Sequence, residues 1–208
     1  MNYKKIKKEL LKNKVNDSEL LTNVSVPIYE KNIFNYFKKI NDLKEINKKF
    51  ICLNHNDYNL LKLTYKGLKL ITPKYFLDEF KNSKKQYFVL AFLIIELGTI
   101  NHLNTVILDK KNKTIERFDI KKNSYKILDK ILKVFLNVFE LHDYNIITTD
   151  KFISDKIKVD NICVPISLLY IYLKMKYNLN LIQINTLLQL FNNKELFQVS
   201  DFILKKLT

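Results

Sequence analysis

Residues 102–119 read His102-Leu103-Asn104-Thr105-Val106-Ile107-Leu108-Asp109-Lys110-Lys111-Asn112-Lys113-Thr114-Ile115-Glu116-Arg117-Phe118-Asp119. Two apolar, partly β-branched runs, Leu103–Leu108 and Thr114–Phe118, flank a polar turn over Asp109–Lys113. The second run alternates with period 2. Strand-length runs on either side of a turn-forming cluster predict a β-hairpin. With its turn near residue 111, the open ends of that hairpin, His102 and Asp119, lie side by side although 17 positions apart in sequence. A carboxylate so placed can accept an imidazole N–H and fix the ring's tautomer.

Outward from the hairpin, Tyr87–Ile95 is a dense apolar run of strand length. Residues 124–140 predict an amphipathic helix, with Ile127, Leu128, Ile131, Leu132, Phe135 and Phe139 on one face. Tyr144–Thr148 suits another strand. Residues 163–177, 181–191 and 195–207 predict three closing helices. Towards the N-terminus, residues 3–14 form a short basic helix with Ile6, Leu10 and Leu11 on one side, and Val24–Ile28 is extended around Pro27. A second helix spans 30–46, with Ile33, Phe34, Phe37, Ile40 and Leu43 at helical spacing. Residues 50–71 are ambiguous, with one or two short strands near Phe50–Leu53 and Leu68–Ile71. Pro73 starts a short helix through Phe80. Helices, then a small meander, then helices make an α+β domain, with a small central mixed or antiparallel sheet flanked by helices.

One further residue joins His102 and Asp119. Cys163 opens a predicted helix whose early Pro165 suits a first turn. The positive end of a helix macrodipole favours a thiolate there, and the thiolate is the reactive form of cysteine. Thiolate, imidazole and carboxylate are the parts of a nucleophilic cysteine hydrolase. The alternative stays open: a buried structural cysteine, a histidine satisfied at a strand end and a turn carboxylate use the same residue types.

Composition bounds these readings. The chain has 208 residues and is 47% hydrophobic and 27% charged, a balance that suits one globular domain with a real core. It is read as a single domain over 1–208, with 1–22 as a basic N-terminal helical appendage. Two cysteines make no disulfide framework. No apolar run reaches membrane-spanning length, and Met1-Asn2-Tyr3-Lys4-Lys5 leads to no apolar leader segment. The expectation is a soluble protein of an intracellular, reducing compartment, not secreted, working as a monomer without contact to membrane.

The formal net charge of +15 invites a nucleic-acid reading. Its make-up weakens that reading. Of 36 basic residues only Arg117 is arginine, while Asn occurs 24 times and Ala once, the pattern of AT-rich codons. Arginine is the side chain that reads guanine and phosphate bidentately. What remains is weak polyanion or DNA association through a Lys-rich surface.

Other motifs carry less. Cys52-Leu53-Asn54-His55 has zinc-like spacing but no second pair to complete four ligands. His142-Asp143 follows an amphipathic helix and is expected to face solvent. Glycine-rich nucleotide loops are absent. No cofactor and no metal are expected.

The His102–Asp109 and Thr114–Asp119 segments resemble the His and Asp segments of the Ulp1/adenain-like cysteine proteases, above all the versions carried by large DNA viruses. Cys163-Val164-Pro165-Ile166-Ser167-Leu168-Leu169-Tyr170-Ile171-Tyr172-Leu173 is similar to that family's nucleophile helix, and the order His, Asp, Cys agrees. The resemblance spans roughly residues 86–191, which would be the protease-like core. It implies a papain-like architecture with Cys163 as nucleophile, His102 as general base and Asp119 orienting the ring. It also implies cleavage after small residues, often Gly, in viral precursor proteins or ubiquitin-like modifiers, in the cytoplasm of a host cell or packaged in a virion. The family usually carries a Gln shortly before the Cys, and a Gly beside it. Here Ser154–Ile162 holds no Gln and Asn161-Ile162 stands in place of the Gly; Asn161 is the candidate oxyanion donor, with a helix cap as its alternative role. Three classes therefore stay open: a cysteine endopeptidase, a catalytically degenerate relative acting as a binding module, and a basic nucleic-acid-associated protein.

Overall fold

A computed structural model describes residues 2–12, 30–52, 61–64, 67–70, 78, 80–96, 99–120, 126–147 and 163–207. Its centre is a mixed sheet of seven strands: β1 (Phe50–Cys52), β2 (Leu61–Thr64), β3 (Gly67–Leu70), β4 (Tyr87–Glu96), β5 (Thr99–Asp109), β6 (Thr114–Phe118) and β7 (Asn145–Ile147). The order is β3-β2-β4-β5-β6-β7, and β1 also pairs with β4. β1 lies against Tyr87–Val89 and β2 against Phe92–Ile95, both parallel to β4, so two short strands share one long partner. β7 runs parallel to β6.

The predicted hairpin is β5–β6, antiparallel from Asp109↔Thr114 to Thr105↔Phe118. Its turn is held by Asp109. One carboxylate oxygen accepts the N–H groups of Lys111 (2.9 Å) and Asn112 (3.2 Å), and the other accepts the Asn112 side-chain amide at 2.7 Å. This is how a short acidic side chain stabilises a tight turn. Lys113 ends the turn in the left-handed region, with φ 51°. β4–β5 forms a second, longer hairpin, and β5 starts at Thr99, earlier than the apolar pattern predicts. Its register steps from Ile94↔His102 to Ile95↔Ile100, which leaves Asn101 as an extra residue immediately before His102. A bulge of this kind bends the strand and re-aims the side chains beside it.

Six helices are described: α1 (Tyr3–Lys12), α2 (Glu30–Asp42), α3 (Lys126–Val138), α4 (Cys163–Tyr177), α5 (Leu181–Leu188) and α6 (Asn193–Leu207). α4 is the central one. Every residue from Cys163 to Met175 is buried, as a helix that is apolar on nearly all sides must be. It packs on β5, α5 and α6. Leu103, Ile107 and Phe118 of the hairpin join Ile166, Leu169 and Tyr170 in one cluster, which also takes in Ile33, Phe37 and Ile40 of α2 and Ile6 and Leu10 of α1. Val106, Leu108 and Ile115 are buried outside that cluster, as are Leu132, Phe135 and Phe139 of α3. A sheet covered on both faces requires two such sets.

Several of the asparagines serve as caps. Asn180 accepts the Gln183 N–H at 2.8 Å and donates its own N–H to the Gln183 side chain at 2.9 Å, and Asn192 and Glu195 repeat the pattern ahead of α6. Asn178 closes α4 with φ 54° and an N–H bond to the Lys174 carbonyl, a place usually given to glycine in a chain less poor in it.

Helix 163–177 matches its prediction residue for residue. β2 is the main addition, in the stretch the pattern left ambiguous. Val24–Ile28 and the start of the Pro73 helix lie outside the described residues.

Candidate active site

Three elements meet at one end of the hairpin. His102 sits near the start of β5, behind the bulge. Asp119 follows the last residue of β6. Cys163 is the first residue of α4. The antiparallel register carries His102 and Asp119 to neighbouring strand ends, and the packing of α4 on β5 brings its N-terminus to them. Ser167 Oγ, one turn into α4, donates to the Leu103 carbonyl at 3.4 Å and ties the first turns of the helix to the strand that carries His102.

His102 Nε2 is 2.9 Å from Asp119 Oδ1. Both side chains are almost wholly buried, with 2% and 3% of their surface exposed. The His102 side chain is also hydrogen-bonded to that of Cys163. With Nε2 engaged by Asp119, Nδ1 is the ring nitrogen left for the sulfur. Cys163 itself is buried, at 6% exposure. Burial opposes a charge on the ring, but the bonds to Asp119 and Cys163 and the charges on those two groups outweigh it, so the His102 pKa is pushed up to about 9. At neutral pH the ring is therefore held as imidazolium.

Asp119 has a second partner. Arg117 Nη1 donates to Asp119 Oδ2 at 3.3 Å and to Asn104 Oδ1 at 3.0 Å. Asn104 is fully buried. In the sequence Arg117 stands out as the lone arginine of a lysine-rich chain and as part of the Thr114–Asp119 segment, but neither feature makes it a site residue. Two signals were there: it lies two residues before Asp119, and Asn104 lies two residues after His102, hence on the same strand faces.

A buried network locks α4 to β6 behind the site. Lys174 Nζ lies 2.7 and 2.8 Å from the two Glu116 carboxylate oxygens, and Tyr170 Oη donates to Glu116 Oε2 at 2.9 Å. Burial, and then the Glu116 charge beside it, raise the Tyr170 pKa well above the phenolic value. The Tyr170 ring stacks on Phe118 with centroids 4.2 Å apart. One lysine inside the apolar run of α4 was the signal for this pair, because a lone buried ammonium needs a partner.

The remaining sequence candidates fall elsewhere. Asn161 lies outside the described residues. Cys52 closes β1, and its proposed companion His55 lies outside the described residues. His142 and Asp143 are exposed, with Asp143 paired to Lys113. Among the described residues no three His, Cys, Asp or Glu side chains come together in a group that would hold a metal ion, and no helix is long and apolar enough to cross a membrane.

No protein-family model matches the chain, and no curated protein matches its sequence. Solved structures do match its shape. The C-terminal protease domain of Ulp1 in complex with Smt3, the yeast ortholog of SUMO, aligns with a TM-score of 0.57 at 14% identity, over 93% of this chain and 95% of that one. The SUMO protease Ulp1 with its catalytic cysteine oxidised to a sulfenic acid aligns with a TM-score of 0.54 at 16% identity, over 100% of this chain and 94% of that one. ChlaDub1 of Chlamydia trachomatis aligns with a TM-score of 0.54 at 11% identity, over 88% and 89% of the two chains. At such identities the likeness speaks for fold alone: the chain has the α+β, papain-like fold of the Ulp1-type cysteine proteases.

Proposed function

We propose that this protein is a cysteine endopeptidase with Cys163 as nucleophile, His102 as general base and acid, and Asp119 orienting the imidazole. The observation that carries this reading is His102 itself, bonded on one side to Asp119 and on the other to a cysteine that opens a buried helix. An imidazolium beside a sulfur at a helix N-terminus favours the thiolate. Thiolate attack on a carbonyl carbon forms the C–S bond and a tetrahedral oxyanion. Collapse expels the amine, which takes the His102 proton, and leaves a thioester. His102, now neutral, draws a proton from water, hydroxide adds to the thioester, and release of the thiolate restores the ion pair with the ring. The first N–H groups of a helix have no carbonyl of their own helix to bond, so those that open α4 are the proposed backbone donors to the oxyanion. Asn161 is the proposed side-chain donor in addition.

The fold shared with Ulp1, whose protease domain is seen bound to Smt3, favours a ubiquitin-like protein or a precursor cleaved after a small residue as substrate. The setting proposed is an intracellular, reducing one, in which a thiolate nucleophile persists. The test is turnover of ubiquitin-like proteins carrying a C-terminal extension, read by mass spectrometry. The extension should be released by the native chain and not by Cys163→Ala. Absence of cleavage across a panel of modifiers and small-residue precursor junctions would favour the second reading, a non-catalytic binding relative. What supports that rival is the lack of any Gln over Ser154–Ile162, together with Asn161-Ile162 where the family carries a Gly.

A further inference from the structure

We propose that Arg117 is a positioning residue that clamps Asp119 in the orientation its bond to His102 requires. This rests on the Cys163–His102–Asp119 reading and extends it by one residue behind the acid.

A carboxylate turns easily about its last side-chain torsion, which is broad and roughly two-fold. Asp119 is held at both ends. Oδ1 faces His102 Nε2 at 2.9 Å, and Oδ2 accepts from Arg117 Nη1 at 3.3 Å. Turning the carboxylate would break both contacts. Arg117 is fixed in its turn, because the same Nη1 donates to Asn104 Oδ1 at 3.0 Å. The chain thus runs Asn104, Arg117, Asp119, His102, Cys163, across two adjacent strands and into α4.

Asn104 is poorly placed for stability alone. It is fully buried, and its amide nitrogen finds no hydrogen-bond partner among the described residues. A buried unmet donor costs about 1–3 kcal/mol. An apolar side chain would avoid that cost, so what the asparagine contributes here is its oxygen, directed at Arg117. The choice of arginine is equally pointed. Every other basic residue of this chain is lysine. The guanidinium is planar, always charged, and presents its donors in a fixed fork, whereas an ammonium is a point charge on a flexible stem. The chain's single arginine stands where one nitrogen must serve two oxygens in fixed directions.

Cys163 alkylation by iodoacetamide tests this without any knowledge of the substrate. Rates are measured on the full chain by mass spectrometry, near pH 6 and near pH 9, and the ratio is compared between variants. In the native chain the ratio should exceed that of His102→Ala, because His102 is the group bonded to the sulfur that takes its proton. If those two coincide, the underlying triad reading fails and this proposal falls with it. With that difference established, Arg117→Met should lower the rate near pH 6 about tenfold. Arg117→Lys should recover part of the loss. A merely structural arginine would shift the melting temperature and leave the ratio unchanged, and a native ratio in folded Arg117→Met overturns the proposal while the triad stands. Should Arg117→Met not fold, Asn104→Ala serves in its place. It removes the oxygen that fixes Arg117, and it too must lower the ratio, or the proposal fails.

Discussion

Asp119 accepts from both sides at once: Oδ1 lies 2.9 Å from His102 Nε2 and Oδ2 lies 3.3 Å from Arg117 Nη1. A carboxylate with 3% of its side chain exposed, held between an imidazole and a guanidinium, has little freedom left. Asp119→Asn keeps the shape and removes the charge that stabilises the imidazolium. We expect peptidase turnover to fall by about 10²-fold or more, with substrate KM little changed. Steady-state kinetics on a cleavable modifier fusion checks this, and a variant with native turnover would remove Asp119 from the mechanism.

The His102 pKa sets a pH window. Its value in the fold, about 9, is raised from 6.5. A raised pKa means that the folded state binds this proton more tightly than the unfolded chain does. The resulting stability is fully present below about 6.5 and is lost as pH rises through about 9, with a size on the order of 3 kcal/mol. Turnover should fall only as pH rises through about 9, where the ring in the folded protein loses the proton needed by the leaving amine. Denaturation curves at stepped pH read the stability. In His102→Ala the alkaline loss between about 6.5 and 9 should shrink, and an unchanged slope would contradict the assignment.

Lys174 and Glu116 form a buried pair whose breakage leaves a charge in the core. Lys174→Met should cost about 3–5 kcal/mol. Adding Glu116→Leu should recover a large part of it, since the stranded carboxylate disappears. Chemical denaturation of the two single variants and the double variant gives the coupling energy, and strict additivity would show that the pair is not coupled.

The N-terminal helix α1 buries Ile6 and Leu10 in the same cluster as α4. It is also tied by ion pairs from Lys7 to Glu195 of α6, at 2.7 Å, and from Glu9 to Lys176 of α4, at 2.8 Å. Leu10→Ala should therefore cost about 2–4 kcal/mol of global stability. A change near zero in thermal unfolding would mean that α1 behaves as an appendage separate from the core.

Much of this was legible in the sequence, for identifiable reasons. The β5–β6 hairpin announced itself because Asp109–Lys113 is a strong turn signal between runs of the right length. Helix α4 was legible through Pro165 in its first turn and its mostly apolar run, so the positions of His102, Asp119 and Cys163 relative to their elements followed. The hidden parts depend on pairing across long distances. β2 is four residues long and is stabilised by β3 and β4, and no local pattern distinguishes it. The bulge at Asn101 is a property of the β4–β5 register, invisible in either strand alone. Arg117 and Lys174 were each visible as an oddity, a sole arginine and a lysine in an apolar helix. Only the packing of α4 on the hairpin shows what each of them holds.

In the proposed mechanism His102 activates Cys163. This is tested most directly with a peptidyl electrophile built on the C-terminal segment of a ubiquitin-like protein, with labelling rates followed separately at Cys163 and Cys52. Fast labelling at Cys163, slow labelling at Cys52 and loss of that difference in His102→Ala are expected. Equal rates at the two cysteines in the native chain, or a Cys163 rate indifferent to His102, would contradict that mechanism.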